Sequence, residues 1–299
     1  MKISCTPVSM SRSFKDGKID LEGFIDFAAG MELDAVDLMD SLAYPWQYKN
    51  RKTEFQKIPK WLERANLKLA AVACGNNFAK ANSDARMAET EKVVNAVREA
   101  AELGAPAVRI FGGYHEDCGG EKGIQYANGF EYIVSGIEQC LPEAEKNKVI
   151  LGLENHGRLP GLSYEMKAII GHFKSPYLKI VFDCANFLAN NMSETENPLS
   201  AYEVLKEDII HCHVKDWGKP FGEMSGRRVA AYPLGKGGYV PIRQFLALLE
   251  RDSFGGYCSL EYEAGWQVPE PEGVRESMEY LKQIGKTHEV FSRLQGDRK

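Results

Sequence analysis

The feature that most constrains the fold is a strict alternation of strand-like and helical segments along the whole chain. Eight short aliphatic runs recur, each followed by a segment of helical periodicity: MKISCTPV, DAVDLM, LKLAAVAC, APAVRIFG, KVILGLENH, LKIVFDCANF, DIIHCHVKD and GYCSLEYEAG. Such alternation is typical of a parallel sheet covered by helices. Eight pairs in 299 residues favour a closed (β/α)8 barrel over an open sheet. We therefore predict an α/β fold, a single TIM barrel domain over residues 1–299.

The clearest helical segment is SDARMAETEKVVNAVREAAELG, between the third and fourth strand-like runs. Its apolar residues, among them Met87, Val94 and Val97, fall near one face of a helix. Ser83 is a candidate N-cap, and Gly104 stands where a C-cap glycine belongs.

Composition excludes several classes of protein. The net charge of −5 and pI of about 5.8 give no basic face, so we expect no nucleic-acid partner. The apolar runs are shorter than the ~20 residues that span a bilayer, and the first residues do not resemble a signal peptide. The seven cysteines occur singly, without a CxxC pair, which favours reduced structural thiols and a cytoplasmic location.

Polar residues end the last four predicted strands, and the carboxyl ends of barrel strands are where barrel enzymes carry their chemistry. Because side chains alternate along a strand, residues two apart share a face. The residues are Glu154 and His156 on the fifth strand, Asp183 on the sixth, His211, His213 and Lys215 on the seventh, and Ser259, Glu261 and Glu263 on the eighth.

Four consecutive strands therefore end in Glu, Asp, His and Glu. Three carboxylates with one imidazole match a divalent cation with mostly oxygen ligands: Mn²⁺, Mg²⁺ or Co²⁺, with Zn²⁺ as a further candidate. The alternative is a network without metal, in which Lys215, Arg109 and the histidines neutralise the acids.

A long insertion, WGKPFGEMSGRRVAAYPLGKGGY, follows the seventh strand and is rich in glycine and basic residues. A loop of this length is usually functional, and we interpret it as a cover over the substrate. Its GKGG stretch at 235–238 is either a phosphate-binding loop or a turn. Trp217, at its start, either stacks on a sugar or joins the core.

Several motifs together resemble the xylose isomerase-like TIM barrels, the sugar phosphate isomerase/epimerase group. They are AAELGAPAVRIFGG, LGLENHG, VFDCANF, HCHVKD, PLGKGGYVPIRQFL and GYCSLEYE, and they cover nearly the whole chain. The resemblance implies one divalent metal ion, held by Glu154, Asp183, His213 and Glu261. In the pattern of this family, the ligand histidine matches His213 rather than His211, and the last ligand glutamate matches Glu261 rather than Glu263. In ketose 3-epimerases of the group, the two ligand glutamates also act as acid and base.

Three positions depart from the ketose 3-epimerase pattern. Pro160 replaces a glutamate six residues after the first ligand, Asn186 replaces a histidine three after Asp183, and Lys219 replaces an arginine six after His213. The resemblance thus implies a retained metal site with altered substrate contacts.

The leading hypothesis is a metal-dependent isomerase or epimerase of a sugar or keto-polyol, acting through a metal-bound enediolate. Glu154 and Glu261 would transfer the proton next to the carbonyl. His156 and Lys215 would bind substrate oxygens, and Arg109 could hold an anionic group. Asn186 and Lys219 take the altered substrate-binding positions. The expected binding partner is a small carbohydrate or polyol substrate. The sequence is compatible with either a monomer or a homo-oligomer.

Three other functions are weighed. An inosose dehydratase-like lyase would use the same metal site, with Lys215 or His156 protonating the departing hydroxyl. A non-catalytic sugar-binding barrel is the alternative of another class. The endonuclease IV branch is disfavoured because the first three strands have no histidine and the chain is acidic.

Overall fold

The computed structural model describes residues 1–121, 124–157, 159–189, 195–222, 227 and 229–296. The strands are β1 (Lys2–Cys5), β2 (Ala35–Met39), β3 (Lys68–Ala73), β4 (Ala107–Gly113), β5 (Ile150–Gly157), β6 (Leu178–Asp183), β7 (Ile209–Val214), β8 (Asp216–Gly218), β9 (Ala230–Tyr232) and β10 (Tyr257–Leu260). In these ranges, no helix has the length and apolar character of a membrane span.

Eight of these strands form one parallel sheet in the order β1-β10-β7-β6-β5-β4-β3-β2. The two ends of the sheet meet where the Asp34 N–H donates to the Ile3 carbonyl (3.0 Å) and the Ile3 N–H donates to Asp34 Oδ2 (2.7 Å). The sheet is thereby a nearly closed barrel, and the prediction of a (β/α)8 TIM barrel is confirmed. The short strands β8 and β9 pair antiparallel in a hairpin after β7.

Helices lie between the strands and around the barrel. They are α1 (Ser11–Lys15), α2 (Leu21–Gly30), α3 (Arg51–Glu54), α4 (Ile58–Ala65), α5 (Ser83–Leu103), α6 (Ile124–Asn147), α7 (Ser163–Phe173), α8 (Asn186–Ala189), α9 (Pro198–Leu205), α10 (Ile242–Arg251) and α11 (Glu270–Gly296).

Alternation along β6 shows how the core positions the site. Phe182 packs outside the barrel, with its ring 5.2 Å from Phe245 of α10 and 6.1 Å from Tyr202 of α9. All three side chains are fully or almost fully buried, and each such burial contributes roughly 2 kcal/mol. Asp183, the next residue, must then face the opposite side, toward the barrel interior.

Helix α5 corrects two predictions. Its N-cap is Asn82, whose Oδ1 accepts from the Ala85 N–H (2.9 Å), and not Ser83. Met87 is 56% exposed, because the buried face runs through Glu89, Thr90, Val93, Ala96, Val97 and Ala100. Gly104 is confirmed as the C-cap, with a left-handed φ of +74° that glycine adopts without steric cost.

Candidate active site

The predicted ligands converge at the carboxyl ends of four adjacent strands. Glu154 lies in β5, Asp183 ends β6, His213 lies in β7, and Glu261 directly follows β10. The parallel register places His213 opposite both Asp183 and Ser259. One ligand atom from each of Glu154, Asp183, His213 and Glu261 lies within 4.8 Å of the others. The structure thus brings the four residues, named here the ligand cluster, to one point.

The donor set of the ligand cluster fits one divalent cation. Ligand atoms around an ion with bonds of about 2.1 Å lie up to roughly 4.2 Å apart, close to the span in the protein. Asp183 Oδ2 is buried with no hydrogen-bond partner in the described residues, although Lys215 Nζ lies 3.0 Å away outside hydrogen-bonding geometry. An oxygen of this kind is suited to ligate a metal.

Glu154 is held from three sides. Oε2 lies 3.2 Å from Arg109 Nε, and Oε1 lies 3.3 Å from both His213 Nδ1 and Asn186 Nδ2. Burial raises the pKa of Glu154, but the charges of His213 and Arg109 outweigh it, so its pKa is lowered. Glu154 is therefore an ionised carboxylate near neutral pH, the form needed to ligate a metal or accept a proton.

The Arg109 side chain is buried and contacts Glu154. Besides its contact with Glu154, its Nη1 donates to the Cys74 carbonyl (2.9 Å), and its guanidinium lies 3.8 Å from the Phe111 ring centroid. Arg109 is 4% exposed. Arg109 is therefore placed to support Glu154 from within the protein.

Lys215 enters the ligand cluster from β7's end. Its Nζ lies 2.7 Å from Glu261 Oε2, 3.0 Å from Asp183 Oδ2 and 3.7 Å from Glu263 Oε1. Burial lowers the pKa of Lys215, but these carboxylates outweigh it and raise the pKa well above its usual value. Burial lowers the pKa of His213, but the charges of Glu154 and Glu261 outweigh it and raise the pKa to about 9. Part of the metal-free network that the sequence allows is thus present, formed by Lys215, Arg109 and the cationic His213.

The ionised form of Asp183 stays unfavourable within this network. Burial, together with the charges of Glu261 and Glu154, raises the pKa of Asp183 to about 7 despite the neighbouring Lys215. A carboxylate whose ionised form is this unfavourable gains from a further cation. The raised pKa of Asp183 therefore agrees with the donor set in fitting a divalent metal ion.

His156 lies beside the cluster with its ring stacked on Phe111, 3.9 Å between centroids. Burial lowers the pKa of His156 to about 4. The imidazole is therefore neutral at pH 7 and can both donate and accept a hydrogen bond.

The two remaining predicted substrate-binding residues, Asn186 and Lys219, lie in different places. Asn186, at the start of α8, reaches Glu154 through its side chain, and its N–H donates to Asp183 Oδ1 (2.9 Å). Lys219 is exposed between β8 and β9, and its carbonyl accepts a hydrogen bond from the Tyr232 hydroxyl (2.8 Å). Asn186 therefore adjoins the ligand cluster, whereas Lys219 stands apart from it.

His211 belongs to a second group deeper in the barrel. Its Nε2 lies 3.3 Å from Asp37 Oδ2, which also accepts a short hydrogen bond from Ser259 Oγ. The carboxylate partner of His211 therefore comes from β2, and the His211 ring lies 5.4 Å from the His213 ring, centroid to centroid.

Asn155 is a site residue to which sequence reasoning gave no role. It is 1% exposed, its Oδ1 accepts from the Asp183 N–H (2.8 Å), and its Nδ2 donates to the Asp183 carbonyl (2.9 Å). This pair of bonds fixes the backbone of a predicted ligand. The only sequence signal was its position between Glu154 and His156.

The GKGG stretch is a turn organised by Asp216. The Asp216 carboxylate accepts from the Gly235 and Val240 N–H groups, both at 3.3 Å. Gly235 and Gly237 have φ values of +73° and +124°, which favour glycine. Burial raises the pKa of Asp216 to about 6, although these hydrogen bonds oppose the shift. Because the Asp216 carboxylate already accepts hydrogen bonds from N–H groups of this loop, the GKGG stretch is better interpreted as a turn than as a phosphate-binding loop.

Comparison with known proteins gives a family and a fold. A family model described as xylose isomerase-like TIM barrel matches residues 25–284. No curated protein matched the sequence.

Among solved structures, a D-tagatose 3-epimerase-like protein is similar, with 19% identity, a TM-score of 0.73, and coverage of 96% of this chain and 98% of that one. The probable 3-DHS dehydratase AsbF of Bacillus anthracis has 18% identity, a TM-score of 0.69, and coverage of 94% and 99%. A D-allulose 3-epimerase from Methylomonas sp., solved with D-allulose, has 15% identity, a TM-score of 0.69, and coverage of 95% and 97%. At these identities the likeness establishes the fold.

Proposed function

Because the chain belongs to the xylose isomerase-like TIM barrel family, we propose that it is a divalent-metal-dependent isomerase or epimerase of a sugar or keto-polyol. The observation that carries this proposal is the convergence of Glu154, Asp183, His213 and Glu261 within 4.8 Å at the carboxyl end of the barrel. Enzymes of this fold carry their chemistry at that end.

Glu154, Asp183, His213 and Glu261 would hold the ion, one of Mn²⁺, Mg²⁺ or Co²⁺, with Zn²⁺ as a further candidate. A divalent cation bound at such a site polarises a carbonyl oxygen and so acidifies the neighbouring C–H bond.

Glu154 and Glu261 are the acid and base. They flank His213, whose Nδ1 lies 3.3 Å from Glu154 Oε1 and 3.7 Å from Glu261 Oε2. Burial raises the pKa of Glu261, but Lys215 and His213 outweigh it and lower the pKa. Both groups are thus carboxylates that can accept a proton from the carbon next to a carbonyl. Two bases at separate positions allow the proton to return to the other side.

Neighbouring residues position these groups and the substrate. The neutral His156 imidazole and the Lys215 ammonium bind substrate oxygens. Asn186 and Arg109 keep Glu154 oriented through the contacts of 3.3 Å and 3.2 Å. Arg109 is thereby a positioning residue rather than an anion-binding one.

The test is solvent exchange. The metal-loaded protein is incubated in D₂O with a panel of ketoses and inososes, and deuterium at the carbon next to the carbonyl is read by NMR. Glu154→Gln keeps the shape of the side chain but removes the base, so exchange should fall by about 10²–10⁴-fold.

The matched control is Glu91→Gln, at an exposed position of helix α5. Wild-type exchange rates in a folded, metal-loaded Glu154→Gln protein contradict the base assignment. Absence of exchange by the wild type on every compound contradicts the proposed function.

A dehydratase is the second candidate, and Lys215 favours it. Its ammonium group lies within 3.0 Å of two members of the ligand cluster and could protonate a departing hydroxyl. Dehydration creates an ultraviolet-absorbing enone or diketone, whereas isomerisation does not, so absorbance during turnover distinguishes the two reactions.

We also propose that the protein acts in the cytoplasm on a small carbohydrate or polyol. All seven cysteines are buried and free of disulfides, which suits a reducing compartment.

A further inference from the structure

A cavity of about 390 Å³ opens beside the ligand cluster, between the segments that follow β1, β7 and β10. Its walls include Arg12, Arg227, Trp217, Trp266, Glu263 and Glu270. We name it the arginine cavity. Its volume suffices for several non-hydrogen atoms of a bound molecule, and no role proposed above uses its two arginines.

The arginine cavity adjoins the ligand cluster through Lys215. The Lys215 Nζ lies 4.9 Å from the Trp217 ring centroid and 3.7 Å from Glu263 Oε1, and both of these residues line the cavity. The arginine cavity therefore borders the residue that contacts both Asp183 and Glu261.

The carboxylates of the cavity already have partners. Glu263 Oε2 accepts from the Trp217 indole N–H (2.9 Å), and its Oε1 faces Lys215. Glu270 accepts from the backbone N–H groups of Arg12 (2.9 Å) and Ser13 (2.8 Å). These bonds satisfy both acids without the arginine side chains.

The guanidinium groups are not engaged in the same way. In the part of the chain that the structure describes, neither the Arg12 nor the Arg227 side chain has a carboxylate within ion-pair distance. Both residues are exposed. A guanidinium presents paired N–H donors whose spacing matches the oxygens of a carboxylate or a phosphate.

The wall is also partly aromatic. Trp266 packs against Phe221, 5.1 Å between centroids, and Gln267 Nε2 donates to the Ala231 carbonyl (2.6 Å), which ties the segment after β10 to strand β9. The β8–β9 hairpin thereby forms one side of the cavity. Indole faces suit the apolar face of a sugar-like chain.

We infer that the arginine cavity binds an anionic group, a phosphate ester or a carboxylate, at the end of the substrate remote from the reacting carbon. Arg12 and Arg227 contact the anion, and Trp217 packs along the intervening carbon chain. This inference rests on the proposed function for the position of the reacting carbon, and it adds a substrate class: a sugar or polyol with a terminal acid.

Binding tests it without turnover. Isothermal titration of the metal-loaded protein compares D-fructose, D-fructose 6-phosphate and D-fructuronate, which differ at carbon 6 alone. We expect one or both anionic compounds to bind at least about tenfold more tightly than D-fructose. Comparison of D-fructose 6-phosphate with D-fructuronate identifies whether the cavity prefers a phosphate or a carboxylate. Raising the salt concentration should reduce the preference.

Arg12→Gln and Arg227→Gln should each reduce the anionic preference about tenfold and leave the affinity for D-fructose unchanged. Arg12→Lys keeps the charge but loses the paired donors. Its anionic preference should therefore lie between that of the wild type and that of Arg12→Gln. Arg98→Gln is the matched control, since Arg98 is exposed on α5 and pairs with Glu143. Circular dichroism verifies folding of each variant.

Equal affinity for the three compounds, absence of binding by any of them, or an anionic preference that survives both arginine substitutions overturns the inference. Because affinity is measured rather than turnover, an anionic preference without proton exchange contradicts the proposed function alone. Exchange without an anionic preference contradicts the inference alone.

Discussion

At the scale of single residues, the site depends on buried groups that position the ligands. Asn155 satisfies both backbone groups of Asp183, and Arg109 and Asn186 hold Glu154. Where contacts of this kind orient a metal ligand, their loss commonly costs ten- to a hundredfold in metal affinity. The positioning residues are therefore as open to test as the ligands.

Asn155→Ala should destabilise the protein by about 3 kcal/mol, because it leaves the buried N–H and carbonyl of Asp183 without partners. It should also weaken metal binding, since Asp183 is no longer fixed. Urea unfolding of the metal-free protein and titration with Mn²⁺ measure the two effects.

The control is Asn147→Ala. Asn147 Nδ2 donates to the Glu143 carbonyl (2.8 Å) at the half-exposed end of α6, where water can replace the bond. Its cost should stay below about 1 kcal/mol. An equal cost for the two variants would contradict the role given to Asn155.

At the scale of elements, the segment between β7 and β10 combines the β8–β9 hairpin with the Asp216-centred turn. Trp217 and Ala230 of this segment line the arginine cavity. The turn packs tightly, because the Gly238 backbone lies directly against the Asp216 carboxylate. The position of one cavity wall therefore depends on a glycine that is not itself a member of the ligand cluster.

Gly238→Ala should disrupt this turn, because a Cβ at that position would overlap the Asp216 carboxylate and displace it from the Gly235 and Val240 N–H groups. We expect a loss of about 2 kcal/mol or more in the free energy of unfolding. Thermal denaturation measures it.

Gly171→Ala on helix α7 is the matched substitution, since a Cβ there meets nothing within 4 Å. It should be neutral or stabilising by up to about 1 kcal/mol. Similar behaviour of the two alanine variants would show that the turn is not tightly packed around Asp216.

At the scale of the whole molecule, the ligand cluster joins four strands that come from distant parts of the sequence. Glu154 and Glu261 are separated by 107 positions, and the ion proposed here would link β5 to the end of β10. A ligand that binds only the folded barrel stabilises the entire fold. Metal binding should therefore be visible in global unfolding.

Addition of Mn²⁺ to protein dialysed against EDTA should raise Tm by about 5 °C at a hundredfold excess over Kd, from roughly 2.7 kcal/mol of binding linkage. Asp183→Asn should remove most of this rise, because it replaces an anionic ligand by a neutral one. Differential scanning calorimetry gives both values.

Asp84→Asn, an exposed position in the first turn of α5, is the control and should keep the full rise. The metal assignment is wrong if Asp183→Asn keeps it too, or if none of Mn²⁺, Mg²⁺, Co²⁺ and Zn²⁺ shifts the wild-type Tm.

The sequence by itself determined the barrel and the facing of its polar strand ends. The family resemblance implied the ligand set Glu154, Asp183, His213 and Glu261. The alternation of segments predicted the parallel sheet, and period-two spacing predicted that polar residues two apart at a strand end, such as Glu154 and His156, share a face. These are local properties, since propensity and side-chain alternation depend on neighbours along the chain. The ends of helices were less exact, as Asn82 rather than Ser83 shows for α5.

Only the tertiary structure decided which groups meet. Barrel closure brings His211 to Asp37, which is 174 positions away, and directs Arg109 to Glu154 rather than to open space. It also places Arg12 and Arg227 in the walls of one cavity. Such pairings depend on strand order, register and the burial of charge among distant segments, and no periodicity along the chain encodes them.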